Sequence, residues 1–102
     1  MALTVYLQDE GGHVVDDVFD PRNTITHLIE PLRDTEALLL LKYVDPCADT
    51  LFNHLQARDL LIDIATLASD ANGETLKVIE KLRDLIQRCI DHPRLYLKFY
   101  GD

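Results

Sequence analysis

Two aspartates and a histidine follow the most apolar segment of the chain and are the first candidates for a chemical site. Asp45 and Asp49 enclose a short segment that begins with Pro46, and His54 comes five residues later. Carboxylates and imidazoles are common metal ligands, so these side chains could hold a metal ion or form a small active centre. The structural alternative is that Asp45 ends a strand and that Asp49 or Thr50 caps the next helix.

Other sequence patterns give little support for metal binding or catalysis. The Asp70–Gly73 segment resembles part of a calcium loop, but the first and last ligand positions fall on Ala68 and Ile79, which have no side-chain oxygen. The two cysteines stand in unrelated contexts, and the histidines show no H-x3-H spacing. We therefore expect reduced thiols, no metal, no cofactor and no enzymatic activity. Cys89 is in phase with apolar helix positions, so we expect it in the core.

A cluster of acidic residues in the first 20 positions is the strongest candidate for a binding surface. Together with the two loop aspartates, the candidate partner-binding residues are Asp9, Glu10, Asp16, Asp17, Asp20, Asp45 and Asp49. Adjacent aspartates are unfavourable within a strand, so we expect a bulge near Asp16 and Asp17 or an aspartate on the apolar side. Two interpretations remain open: an edge strand protected by charge, and a docking patch for a basic protein.

The net charge of −8 bears on which partners are plausible. Residues 1–70 hold 13 acidic and 4 basic side chains, whereas residues 71–102 are nearly neutral. An acidic chain is repelled by phosphate backbones, which disfavours nucleic acid as a partner. No apolar run reaches the roughly 20 residues of a membrane span, and we see no signal peptide, so we expect a cytoplasmic protein without membrane contact.

The first half of the chain predicts a hairpin, a short helix and a buried strand. Alternating apolar residues predict strands at 2–8 and 13–19, joined by a turn that contains Gly11 and Gly12. A short helix follows Asn23 and is truncated by Pro31. Residues 36–44 are apolar on both faces, and we interpret them as a central strand, although their leucines also suit a helix.

The second half predicts two helices and a final strand. Residues 50–69 have helical periodicity with a phase slip at 56–59, which predicts a bend or two shorter pieces. Residues 74–91 carry a regular apolar stripe, and residues 94–100 alternate strictly. The predicted fold is one α+β domain over residues 1–102, with the order β-β-(short α)-β-α-α-β. It contains a four-stranded, mainly antiparallel sheet with two helices on one face, and the last strand lies inside the sheet.

The segment from Tyr43 to Gln56 resembles a part of small, uncharacterised bacterial proteins. In those proteins a strand ends in an aspartate-proline turn that leads into D-T-x-F-N-x-L-Q, and this chain has D-P-C-A-D-T-L-F-N-H-L-Q. The resemblance covers the central part of the chain and implies a bacterial origin. By size and charge the protein also resembles immunity proteins of bacterial toxin systems, which implies a protein partner.

Three functional hypotheses follow. The leading one is a non-enzymatic interaction protein, such as an immunity- or antitoxin-like inhibitor, whose acidic side chains bind a basic partner. The second is a small metal-binding protein or enzyme centred on Asp45, Asp49 and His54. The third is a homo-oligomeric accessory domain, for example a homodimer. In that case the contact between the subunits would be formed by Tyr96, Lys98 and Tyr100, on an open face of the sheet.

Overall fold

A four-stranded antiparallel sheet forms one layer of the protein in a computed structural model that describes residues 3–101. The elements in chain order are β1 (Leu3–Asp9), β2 (Val14–Asp20), α1 (Thr24–Ile29), β3 (Thr50–Phe52), α2 (His54–Ala68), α3 (Gly73–Asp91) and β4 (Leu95–Gly101). The strand order is β2-β1-β4-β3, so β4 lies between β1 and β3. The predicted α+β class and the internal position of the last strand are confirmed. None of the helices in this part of the chain is both long and apolar enough to cross a bilayer.

The N-terminal hairpin forms as predicted, and β2 is an edge strand. Tyr6 pairs with Asp17 and Leu7 with Asp16, but Gln8 pairs with Val14, so Val15 is the extra residue of a β-bulge. The turn is closed by Asp9, whose Oδ1 accepts the backbone N–H groups of Gly11 and His13, each at 2.9 Å. Residue 2 of the predicted first strand lies outside the described residues.

The core lies between the helices and one face of the sheet. On β1, Leu3, Val5 and Leu7 are at most 2% exposed, whereas the alternate residues are partly accessible. The apolar stripe of α3 belongs to the same core. Its fully buried side chains are Ile79, Leu82, Leu85, Ile86 and Cys89. Each such side chain contributes about 1.5–3 kcal/mol through removal of apolar surface from water.

Residues 36–44 are neither a strand nor a helix, so both interpretations of this segment are wrong. Leu38, Leu41 and Val44 point into the core at 1%, 0% and 2% exposure, but the backbone is irregular apart from one turn of 3-10 helix. Part of this backbone is fixed by Arg33, whose Nη1 donates to the carbonyl oxygens of Lys42 at 2.6 Å and Val44 at 2.9 Å. Segment 36–44 is apolar because it covers the core as a loop.

The same segment is fixed a second time by a buried carboxylate on α2. Asp63 is 0% exposed, and its two oxygens accept the backbone N–H groups of Leu39, Leu40 and Leu41 at 2.8, 2.8 and 2.9 Å. A buried charge is tolerated only when it is fully hydrogen-bonded, and three amides meet that requirement here. Asp63 therefore replaces the partner strand that these amides would have had in a sheet.

The third strand is instead Thr50–Phe52, at the start of the segment predicted as a helix. The helix begins at His54 because Asn53 forms a capping box: its side chain accepts the N–H of Gln56, and Gln56 Oε1 accepts the N–H of Asn53, both at 2.9 Å. Of the two outcomes predicted for the phase slip at 56–59, the division into two shorter pieces is wrong, since α2 is continuous. The phase slips there because Leu55 is 62% exposed and Ala57 faces the core instead.

Candidate protein-binding face

Of the two acidic residues at the tip of the hairpin, Asp9 serves the turn. The backbone N–H of His13, together with that of Gly11, holds the pKa of Asp9 below its ordinary value. Glu10 stands 3.9 Å from Arg94, with both side chains well exposed. These two acids thus lie at one end of the sheet, where Asp9 pairs with Leu95 across β1 and β4.

Asp16 and Asp17 point to opposite faces of the sheet, as neighbours in a strand must. Asp16 reaches the helix layer, where its Oδ2 accepts a hydrogen bond from Nη1 of Arg88 at 2.6 Å. This bond is the main reason that the pKa of Asp16 is lowered, and the N–H of Asp17 adds to the effect. Asp17 is exposed on the other face, and its carboxylate has no hydrogen-bond or ion-pair partner within residues 3–101.

Asp20 is a structural residue. It is 1% exposed, its Oδ2 accepts the N–H of Ile25 at 2.8 Å, and its Oδ1 accepts the hydroxyl of Thr24 at 2.9 Å. Asn23, the residue before α1, has a left-handed backbone and no capping side-chain bond, so Asp20 supplies the cap from a distance. Its carboxylate is therefore not accessible to a partner.

The loop of Asp45 and Asp49 forms a turn against the end of β4. Asp45 Oδ1 accepts the N–H of Cys47 at 2.8 Å, and Asp49 Oδ2 lies 3.2 Å from Nζ of Lys98. Gly101 is required here, because a Cβ at this position would lie 2.5 Å from the carbonyl oxygen of Ala48. Neither aspartate caps a helix or ends a strand, which corrects the structural interpretation made from the sequence.

The loop does not assemble the metal site or active centre considered above. Within the part of the chain that the structure describes, no three His, Cys, Asp or Glu side chains are arranged to bind a metal ion. His54 is the first residue of α2, while Asp45 and Asp49 are engaged with Cys47 and Lys98. The geometry therefore offers no support for this hypothesis.

The sheet surface that faces away from the helices is a further candidate site, and we call it the open face. Since Leu3, Val5 and Leu7 face the core, their alternates on β1 and the residues paired with them must face the opposite way. The open face comprises Thr4, Tyr6, Gln8, Val14, Asp17, Phe19, Leu51, Tyr96, Lys98 and Tyr100. It holds four of the seven aromatic residues of the chain.

Several of these apolar side chains are accessible. Phe19 is 57% exposed, Leu51 54% and Tyr100 41%. The rings of Tyr6 and Tyr100 meet edge to face with centroids 6.4 Å apart. Lys98 Nζ lies 5.9 Å from the centroid of Tyr100, so the face also carries one cation, which Asp49 neutralises.

The sequence predicted only part of this surface. Tyr96, Lys98 and Tyr100 were recognised from the alternation of the last strand, and the structure places them on the open face. Tyr6 and Phe19 were missed, although the same alternation in the hairpin could have identified them. What the hairpin sequence alone does not show is that β4 lies next to β1, which brings the tyrosines of the two strands together.

Comparisons with known proteins add no further assignment. No family model matches the chain, and neither curated proteins nor solved structures give a significant match.

Proposed function

We propose that this protein is a non-enzymatic interaction protein, such as an immunity- or antitoxin-like inhibitor, and that it binds a basic partner protein through the open face. The observation that carries the proposal is the set of aromatic side chains on a sheet surface that no helix within residues 3–101 covers. Tyrosine and phenylalanine are enriched in protein interfaces, where large rings contribute much contact area and tyrosine frequently anchors the complex. An accessible cluster of this kind is typical of an interaction surface.

The charge of the protein supports a basic partner. The chain carries a net charge of −8. On the open face Lys98 is paired with Asp49, which leaves Asp17 as the carboxylate without an internal counter-ion in residues 3–101. A negative field of this kind speeds the encounter with a basic protein and discriminates against acidic ones.

The dimensions of the open face require a contact that extends to its rim. Three strands of seven residues and one of three, at about 3.3 Å per residue and about 4.8 Å per strand, give a surface of roughly 400 Å². A stable interface covers about 800 Å² on each partner, so the partner must also contact surrounding loops. The hairpin tip with Asp9 and Glu10 lies at one end of the sheet, and the loop with Asp45 and Asp49 lies at the other. A polar, acidic rim around an aromatic centre matches the usual anatomy of an interface.

A pair of matched substitutions tests this proposal. Phe19 on the open face and Ile62 on α2 are each 57% exposed, so Phe19→Glu and Ile62→Glu introduce the same charge at equal accessibility on different surfaces. We expect a basic protein from a bacterial host to co-purify with the wild type and with Ile62→Glu, and the complex with Phe19→Glu to be weakened at least tenfold when purified components are measured by calorimetry. The affinity should also fall as salt is raised.

Three results would overturn the proposal. The first is that no partner is retained, and the second is that the partner binds both variants equally or is lost only with Ile62→Glu. The third is a wild-type protein that is dimeric by light scattering and becomes monomeric with Phe19→Glu, which would establish the homodimer in place of the partner complex. If the purified partner is a toxin, inhibition of its activity by the wild type but not by Phe19→Glu would support the inhibitor role.

A further inference from the structure

Thr4, on the open face, is surrounded by aromatic residues on three sides. It pairs with Phe19 of β2 on one side and Tyr100 of β4 on the other, and Tyr6 follows two residues later on the same strand. Asp17 pairs with Tyr6 and therefore stands beside this group. We propose that these residues, which we call the Thr4 cluster, form a binding site for an arginine side chain of the partner, an inference that rests on the proposed function.

The spacing of the strands suits a planar cation. Phe19 and Tyr100 are on the two strands that flank β1, so their backbones are about 10 Å apart, twice the separation of neighbouring strands. A guanidinium group stacked between two rings needs about 7 Å, or about 3.5 Å on each side. The side chain of Thr4 is short, so it extends less far from the sheet than the aromatic rings on either side of it.

The charges of the Thr4 cluster also favour a cation. Aromatic ring faces attract positive charge. Because Asp49 holds Lys98 at 3.2 Å on the β3 side of the face, the carboxylate of Asp17 remains available to accept two hydrogen bonds from one guanidinium group. Arginine fits better than lysine, since its cation is planar and less strongly hydrated.

Small probes test the site without the partner. We would titrate the ¹⁵N-labelled protein with N-acetylarginine amide, N-acetyllysine amide and N-acetylcitrulline amide, the last of which has nearly the shape of arginine but no charge. We expect saturable shifts of the amide signals of Thr4, Tyr6 and Phe19 with the arginine probe. Binding of the lysine probe should be weaker, and the citrulline probe should bind at least about fivefold more weakly than arginine.

Substitutions locate the binding to the cluster. Phe19→Ala and Asp17→Asn should each weaken the arginine probe about two- to fivefold, and the double variant about tenfold. Leu51→Ala is the matched control, because Leu51 is 54% exposed on the same face but pairs with Lys98 on the far side from Asp17. All variants change accessible side chains, and unchanged thermal unfolding shows that they remain folded.

The inference is overturned if citrulline binds as well as arginine, if the shifts map to the helices, or if the double variant binds like the wild type. These outcomes are separate from failure of the proposed function. If Phe19→Glu loses the partner but the arginine probe does not bind the Thr4 cluster, the proposed function stands and the arginine site is refuted. Conversely, if the probe binds at the cluster but the protein retains no partner, the proposed function is refuted.

Discussion

Replacing Asp63 by asparagine should destabilise the protein by about 2–4 kcal/mol. The carboxylate is fully buried, and it accepts the amide N–H of Leu39 on Oδ1 and those of Leu40 and Leu41 on Oδ2. Asparagine has the same shape but one acceptor oxygen, so its best orientation keeps the two bonds of Oδ2 and turns an NH2 group toward the N–H of Leu39. Leaving one buried donor unpaired costs about 1–3 kcal/mol, and the other two bonds lose their charge assistance.

Urea unfolding followed by circular dichroism measures this loss, and Asp59→Asn is its control. Asp59 lies one turn earlier on the same helix and is exposed, so its substitution should change the free energy of unfolding by less than about 0.5 kcal/mol. For a domain of this size, the loss at Asp63 corresponds to a fall in Tm of roughly 10–20 °C. Amide hydrogen exchange of residues 39–41 provides a local readout, because these N–H groups should lose protection first.

The reasoning is refuted if the two asparagine variants unfold at the same urea concentration. It is also refuted if Asp63→Asn lowers global stability but leaves the exchange of residues 39–41 unchanged relative to the rest of the protein. The first result would mean that the three hydrogen bonds add nothing to stability beyond those that the unfolded chain makes with water. The second would mean that Asp63 stabilises α2 and not the loop.

Three more outcomes can be measured on the isolated protein. Because Arg88 depresses the pKa of Asp16, their ion pair stabilises the fold at pH values above the ordinary pKa of an aspartate. This stabilisation is lost as the pH falls through the lowered pKa. In carboxyl ¹³C titrations, Arg88→Gln should therefore raise the titration midpoint of Asp16. Burial raises the pKa of Cys89 to about 11, whereas Cys47 is exposed. At pH 8, Ellman's reagent should therefore label Cys47 in the folded protein and label both thiols only in urea. Equal labelling rates of the two thiols in the folded protein would contradict this. Asp20→Asn should cost about 1–3 kcal/mol in thermal unfolding and leave partner affinity unchanged, whereas a loss of affinity in a stable variant would place this residue in the interface.

The elements that the sequence predicts well are those whose pattern is local. The alternation in β1 and β4 and the apolar stripe of α3 each depend on side chains within one element, and all three form where they were expected. The internal position of β4 also followed from the long excursion between residue 44 and residue 95. The capping box of Asn53 and Gln56 is an equally local signal, and it would have placed the start of α2 correctly.

The loop over residues 36–44 could not be predicted in the same way, because what fixes it is distant in sequence. Asp63 lies 22–24 residues from the amides that it binds, and a single aspartate in a helical pattern gives no indication of such a role. Without that carboxylate, an apolar run of this length fits a buried strand, whose amides would be satisfied by neighbours. The true third strand has only three residues, too few for a periodic signal.

The candidate site shows the same division between local and distant information. The acidic composition suggested one patch, but Asp9, Asp16, Asp20, Asp45 and Asp49 each accept a hydrogen bond or pair with a cation inside the protein. A large part of the negative charge thus serves turns, a helix cap and contacts between elements. Net charge alone therefore overstates how many acidic residues are available to a partner.

Asp17 differs from the other acidic residues of the hairpin in having no such role among the described residues. An aspartate in the middle of a strand is unfavourable by propensity, and a carboxylate that neither caps nor pairs does not offset that cost. Its neighbour on the same face, Phe19, is a large apolar side chain left 57% exposed, which is a second local disadvantage. Local choices that conflict with stability are expected where a surface is shaped for binding. That these two residues stand side by side, against the tyrosines of β1 and β4, is the strongest reason to look for the function of this protein on the open face.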